Sequence, residues 1–243
     1  MDFGNTRLKC GVFDNESLVA VVSLPDGSPQ SISALLKKYT PAATILSSVI
    51  DHDPAIEPLL AESASFHKLS AQSILPFTTP VGKPATIGPD RLALAAAAVY
   101  FHPEKNNLVI ALGSCITYNF INKSHMFIGG SISPGLELRF NALHAYTAKL
   151  PLTRPDPVAD WWNFPLIGYD TRTNILSGVL IGMAVELNGI IESYHEKFNN
   201  INVVLTGGDV PYFARHLKSR IFTEPDFLFK GLYAISQANH ATQ

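Results

Sequence analysis

The chain has 243 residues, of which 47% are hydrophobic and 16% charged, and a formal charge of −2. So much apolar material excludes a disordered chain, and so small a net charge offers no general attraction for nucleic acid or an anionic membrane surface. Two cysteines, Cys10 and Cys115, are too few for a disulfide framework and suit a reducing compartment, the cytoplasm.

No uninterrupted apolar run approaches the roughly 20 residues that span a bilayer, and the opening residues lack the apolar core of a signal peptide. Asp2 reads as the end of a strand with only Met1 ahead of it, so a few further residues are expected upstream.

Leu8–Phe13 and Val19–Leu24 are β-favouring runs around the polar turn Asp14-Asn15-Glu16, which predicts a hairpin. A helix is predicted from Ser31 to Tyr39, a buried strand from Ala43 to Ile50, a short helix from Pro54 to Ala61 and a strand from Phe66 to Ser70. Pro76–Pro89 holds four prolines, three threonines and two glycines, too many breakers for regular structure, and leads into an alanine-rich helix ending near Tyr100. After a polar connector, Pro103–Asn107, strands are predicted at Leu108–Leu112, Ile116–Asn122 and Met126–Ile132.

A helix from Pro134 to about Thr147, a proline-rich loop to Pro165 and a long helix from Thr171 to about Phe198 follow. Val203–Leu205 reads as a strand, with helices near Val210–Lys218 and Phe227–Gln237 closing the chain. Both halves open with a strand, a Gly-polar turn and a hairpin before their helices. That predicts two α/β domains of one architecture, residues 1–104 and 105–243.

Three constellations carry possible chemistry. In Asp2-Phe3-Gly4-Asn5-Thr6-Arg7-Leu8-Lys9, an acidic strand end meets a glycine turn, small donors and a lysine. Gly4 lets backbone amides approach phosphate oxygens, Asp2 can orient hydrated magnesium and Lys9 can offset phosphate charge, although an ordinary Asn-Thr hairpin turn would look the same. Gly88-Pro89-Asp90-Arg91 stands where the breaker-rich loop becomes a helix. There Asp90 could accept a proton from an alcohol and Arg91 hold an anion, or the acid could simply cap the helix.

Ala111-Leu112-Gly113-Ser114-Cys115 repeats the strand–Gly–polar-turn pattern, and Ser114 could bind phosphate or serve only as a hairpin turn. Gly129–Gly135 and Thr206-Gly207-Gly208-Asp209 also join strands to helices, each readable alone as a structural turn. Neither has the spacing of a Walker or dinucleotide motif. The eight histidines lie scattered without ligand spacing, and Trp161-Trp162 could stack on a ligand or cover an apolar or dimer surface.

Taken in order, these segments resemble the type III pantothenate kinases from Asp2 to about Leu232. The family's Asp-x-Gly-Asn-Thr-x-x-Lys is met by Asp2–Lys9 and its Gly-x-Asp-Arg by Gly88–Arg91, while Gly129–Gly135, Thr147-Ala148-Lys149-Leu150-Pro151, Ile175–Gly178 and Thr206-Gly207-Gly208 resemble further family segments. The resemblance implies an α/β fold of two ribonuclease-H-like (actin-like ATPase) domains with a nucleotide cleft between them. It also implies a homodimer, ATP with Mg2+ held near Asp2, and phosphorylation of pantothenate.

It further implies that Asp90 is the proton acceptor and that Gly88, Pro89, Asp90, Arg91 and Thr171 contact pantothenate. By the same resemblance Asp2, Phe3, Gly4, Asn5, Thr6, Arg7, Leu8, Lys9 and Ser114 serve the nucleotide. The family's Asp-x-Gly-Thr aspartate, a ligand for a monovalent cation (K+ or NH4+), is here Ala111, so weak or absent cation dependence is expected. Asn119 stands where an acid is common, and a tyrosine frequent ahead of Gly-x-Asp-Arg has no counterpart among Pro80, Val81 and Gly82. A nucleotide-binding accessory protein and a kinase for another small alcohol are the alternatives.

Overall fold

A computed structural model describes residues 1–70, 72–80, 84–156 and 165–240. Trp161-Trp162, Val81 and Gly82 lie outside the described residues. In chain order the elements are β1 (Asp2–Phe3), β2 (Leu8–Asp14), β3 (Ser17–Ser23), α1 (Pro29–Tyr39), β4 (Ala43–Ser48), α2 (Ile56–Ser63), β5 (Ser65–Lys68) and α3 (Pro89–Phe101). There follow β6 (Asn106–Leu112), β7 (Cys115–Asn122), β8 (Met126–Pro134), α4 (Leu136–Ala145), α5 (Thr171–Lys197), β9 (Ile201–Thr206), α6 (Val210–Phe213), β10 (Phe222–Thr223) and α7 (Phe227–His240).

They form two five-stranded sheets, ordered β3-β2-β1-β4-β5 and β10-β9-β6-β7-β8. In each, the central strands carry parallel partners reached through helices, the connection a parallel sheet requires. The two-α/β architecture expected from the sequence is the one observed.

The first compact unit comprises Met1–Glu104, Asn119–Gly129 and Asp226–Gln243, the second Lys105–Tyr118 and Gly130–Pro225. The division read from the sequence was a single cut after Glu104. The difference arises from packing remote in sequence: Gly231 of α7 meets Ala93 and Ala97 of α3, and Phe13 of β2 stacks on Tyr233 at 4.6 Å. The alanine run of α3 is therefore buried on nearly every side, with Ala93, Ala95, Ala96, Ala97 and Ala98 fully enclosed.

The first unit also contains a core of Phe3, Cys10, Ile32, Leu36, Leu46, Ile56 and Leu60. The amphipathic α1 opens on Ser28, whose hydroxyl accepts from the Ser31 amide, with Pro29 already at its first turn. In the second unit the core gathers Leu108, Ile110, Tyr118, Leu176, Met183, Leu187, Val203 and Leu205.

Within that core, α5 is by length and mean hydropathy the one described helix apolar enough to cross a bilayer, although it holds no uninterrupted apolar run of that length. Ser177, Asn188 and Glu186 break the run without lowering the average enough. Leu176, Met183, Leu187 and Ile191 are fully buried in the protein core.

Two further expectations change. The helix expected over Val210–Lys218 stops at Phe213 and continues as a 3-10 turn over Ala214–His216. Asn188 of α5 donates to the His216 carbonyl at 2.9 Å and accepts from the Lys218 amide at 2.8 Å, pulling this backbone out of helical register. The helix expected from Pro134 begins at Leu136, because β8 runs on through Pro134 and Gly135 takes the N-cap position.

Candidate active site

Strand β1 is only two residues long, yet it is held on both sides. Asp2 is in register with Lys9 of β2 and with Ser47 of β4, and Phe3, fully buried, packs edge-on against His52. The chain then turns sharply, the Gly4 amide donating to the Arg7 carbonyl at 3.2 Å. Asn5, Thr6 and Arg7 are exposed at the tip. Of the eight residues assigned to phosphate binding, Phe3 thus serves the core with its side chain and offers a ligand only its backbone.

Asp2 receives a weak hydrogen bond from Ser47 Oγ at 3.4 Å. Burial pushes its acid up to about 6, and the Asp90 carboxylate adds to the rise. The first two sequence constellations are therefore neighbours within the first unit.

The second constellation opens α3. Gly88 is the N-cap, Pro89 sits in the first turn, and the Arg91 and Leu92 amides both donate to the Gly88 carbonyl at 3.0 and 3.1 Å. No side chain caps this helix at Gly88. Asp90 instead turns back over the glycine. A β-carbon at position 88 would stand 2.5 Å from Asp90 Oδ1, so glycine is required for the carboxylate to lie where it does.

Burial raises the Asp90 acid, opposed by hydrogen bonding from the Arg91 amide and by the Arg91 charge. A partly desolvated carboxylate at a helix N-terminus, its acid raised by burial, has the character of a general base.

Two residues that sequence reasoning did not assign to the site hold Arg91. Its Nε donates to Asn119 Oδ1 at 2.7 Å, and its guanidinium lies 5.6 Å from the Phe127 ring centre. Asn119 is fully buried. Because the amide is neutral, it orients Arg91 without setting a second charge against it. The only signal in the sequence was Asn119's departure from the acid common at that place.

In the second unit, turns that look unrelated along the chain converge. Gly113-Ser114 links β6 to β7, the Gly113 amide donating to the Cys115 carbonyl at 3.2 Å. The Gly135 amide, at the start of α4, donates to the Ser114 carbonyl at 3.1 Å, and the Asp209 amide donates to the Leu112 carbonyl at 3.2 Å. Gly207 has φ +102°, and a β-carbon there would lie 2.2 Å from the Leu112 carbonyl oxygen. The strand–turn junctions at 112–114, 135 and 207–209 thus form one cluster, in which the Gly113, Gly135 and Asp209 amides each bind a protein carbonyl and fix the turn that carries Ser114.

Thr171, exposed, is the first residue of α5 behind a capping box in which Asp170 accepts from the Thr173 amide at 2.7 Å. Ala111 pairs in register with Thr206 and brings no carboxylate to this turn. Among the described residues no three His, Cys, Asp or Glu side chains gather as a metal cluster.

A family model described as type III pantothenate kinase matches residues 1–193. A type III pantothenate kinase of Christiangramia forsetii is 42% identical over 242 residues, covering 98% of this chain and 97% of the relative. One of Flavobacterium johnsoniae is 36% identical over 234 residues, covering 96% and 94%.

Among solved structures, a Baf family transcriptional activator from Campylobacter jejuni is similar at TM-score 0.60 and 19% identity, covering 99% of this chain and 98% of its own. The activator of the 2-hydroxyisocaproyl-CoA dehydratase from Clostridium difficile, solved with bound ADPNP, is similar at TM-score 0.52 and 14% identity, covering 99% and 95%. These two likenesses concern the fold alone.

Proposed function

The chain belongs to the type III pantothenate kinase family, and from that premise we propose that it transfers the γ-phosphoryl group of ATP to the 4'-hydroxyl of pantothenate, the first step of coenzyme A synthesis. The observation that supports this most directly is the Gly88–Arg91 turn, where a half-buried carboxylate and an oriented arginine stand side by side at a helix N-terminus beside Asp2. In this reading Asp90 takes the proton of the attacking hydroxyl and Arg91 receives the pantothenate carboxylate. Residues 2–9 hold the ATP phosphates, Ser114 contacts the nucleotide and Thr171 the second substrate.

Asp2 suits a hydrated magnesium ion, since a carboxylate whose charge is disfavoured by burial gains most from a cation. That ion would neutralise charge on the phosphates, and the protein's own part is alignment. Ala111 offers no ligand for potassium or ammonium, and the reading uses neither ion. Tyr146, Ile167, Tyr169 and Val185 of the second unit are exposed apolar side chains that suit burial in a homodimer, and Cys10 and Cys115, both free, suit the cytoplasm.

The test is ADP formation by purified protein with ATP and Mg2+, with and without pantothenate. Pantothenate-dependent turnover is expected. Turnover that only another alcohol stimulates, or no turnover at all, would replace this reading with a different kinase or with the accessory role that Ala111 favours.

A further inference from the structure

Within the second unit, Arg139 of α4 turns its side chain back across the start of its own helix. Its Nε donates to the Pro134 carbonyl at 2.8 Å and its Nη2 to Ser133 Oγ at 3.1 Å, while the same Nη2 forms an ion pair with Glu186 of α5. Glu186 also accepts from the hydroxyl of Tyr118, fully buried on β7, at 3.0 Å. Burial by itself would raise the Glu186 acid, but hydrogen bonds from Arg139, Ser133 and Tyr118 hold it below the ordinary carboxylate range. The pair is therefore ionised at neutral pH, and its hydrogen bonds are of the charge-assisted kind.

The Pro134 carbonyl and the Gly135 amide are the two ends of one planar peptide unit. Arg139 holds the oxygen end, and the N–H end donates to the Ser114 carbonyl at 3.1 Å. A cation on the oxygen polarises the peptide and strengthens its N–H as a donor. The two turns are also pressed together, since a β-carbon on Gly135 would stand 2.0 Å from the Gly113 carbonyl oxygen. A rotation of that peptide plane cannot leave Gly113-Ser114 where it is.

We propose that Arg139, fixed by Glu186 and Tyr118, is a positioning residue for the nucleotide, holding the peptide that in turn holds Ser114. The proposal rests on the reading in which Ser114 contacts the nucleotide. It leaves the acceptor aside, because Gly88–Arg91 belongs to the first unit and Thr171 begins α5 roughly 22 Å along the helix from Glu186.

Binding of ATP with Mg2+ is read by calorimetric titration of the full chain, and the KM for pantothenate by steady-state kinetics. Arg139→Lys keeps a cation beside Glu186, but one ammonium cannot stand at both the Nε and Nη2 positions of the planar fork. It is expected to weaken ATP about tenfold, about the worth of one charge-assisted hydrogen bond, with the pantothenate KM unchanged. Arg139→Ala is expected to weaken ATP at least as much, and millimolar guanidinium to restore most of the loss by occupying the space the fork leaves. A general loss of stability would weaken both substrates and would not respond to guanidinium.

Ser114→Ala is the reference, expected to weaken ATP by a similar factor. Wild-type ATP affinity in Arg139→Lys beside a weakened Ser114→Ala overturns the positioning role alone. An equal loss of pantothenate affinity, or no rescue of Arg139→Ala by guanidinium, overturns it as well. Wild-type ATP affinity in Ser114→Ala, or no ATP binding by the unaltered chain, overturns the nucleotide reading and the positioning role with it.

Discussion

Gly88 has no side chain, yet it determines where the reactive oxygen sits. Placing a methyl group 2.5 Å from Asp90 Oδ1 must rotate the carboxylate or shift the helix start. Gly88→Ala is therefore expected to lower kcat about a hundredfold, the usual cost of an ångström-scale displacement of a reacting group. Asp90→Asn should cost at least as much, with ATP affinity largely kept in both variants. Steady-state kinetics and nucleotide titration check this, and a Gly88→Ala enzyme of normal kcat would remove Asp90 from the chemistry.

Asp2 carries a pH signature. Its acid rises from 3.8 to about 6 on folding, so protonation favours the fold: the cost of burying it is absent below about 3.8 and complete above about 6. In metal-free buffer Asp2→Asn should match wild type in stability near pH 4 and exceed it at pH 8, as urea midpoints would reveal. Affinity for ATP with Mg2+ should fall as the pH drops through 6, because a protonated Asp2 no longer holds the cation, and the variant should lose that dependence.

Hairpins and long helices were legible because their periodicity is local. β2, β3, α1, β4 and α5 lie within a few residues of the ranges read from alternation and amphipathic spacing. The short strands β1 and β10, two residues each, gain their strand character from register with neighbours and show no pattern of their own. The same limit applied to the site. The motifs at Asp2–Lys9 and Gly88–Arg91 could be recognised by order and type, but the hold of Asn119 and Phe127 on Arg91 depends on which face of β7 and β8 meets α3.

The convergence of three turns on Leu112–Ser114 was equally hidden, since residues 113, 135 and 207 are joined only by backbone hydrogen bonds and a close approach. Gly207→Ala, forcing a β-carbon onto the Leu112 carbonyl at positive φ, should distort that cluster. We expect the KM for ATP to rise about tenfold, about the worth of one charge-assisted hydrogen bond, with the pantothenate KM nearly unchanged. An unaltered ATP KM would mean that this cluster serves the fold only.

For the protein as a whole, the family assignment fixes the chemistry more firmly than the ionic conditions it needs. In the proposed reading Ala111 brings no carboxylate for a monovalent cation to the end of β6, so turnover should be the same in potassium as in a bulky inert cation such as tetramethylammonium. Several-fold activation by potassium would show that backbone carbonyls or other side chains have taken over the site.

The placement of α7 bears on how the polypeptide is made. A ribosome releases Lys105–Pro225 entirely before Phe227–His240, yet α3 and β2, synthesised long before, take their packing partners Gly231 and Tyr233 from that last helix. The ordinary vectorial order, in which the amino-terminal half folds first, is reversed here. Every core residue of the second unit is synthesised before that helix, whereas the alanine face of α3 has to wait for it. A stop codon after Pro225 would therefore strand the half bearing Asp2 and Asp90, and leave intact the half bearing Ser114.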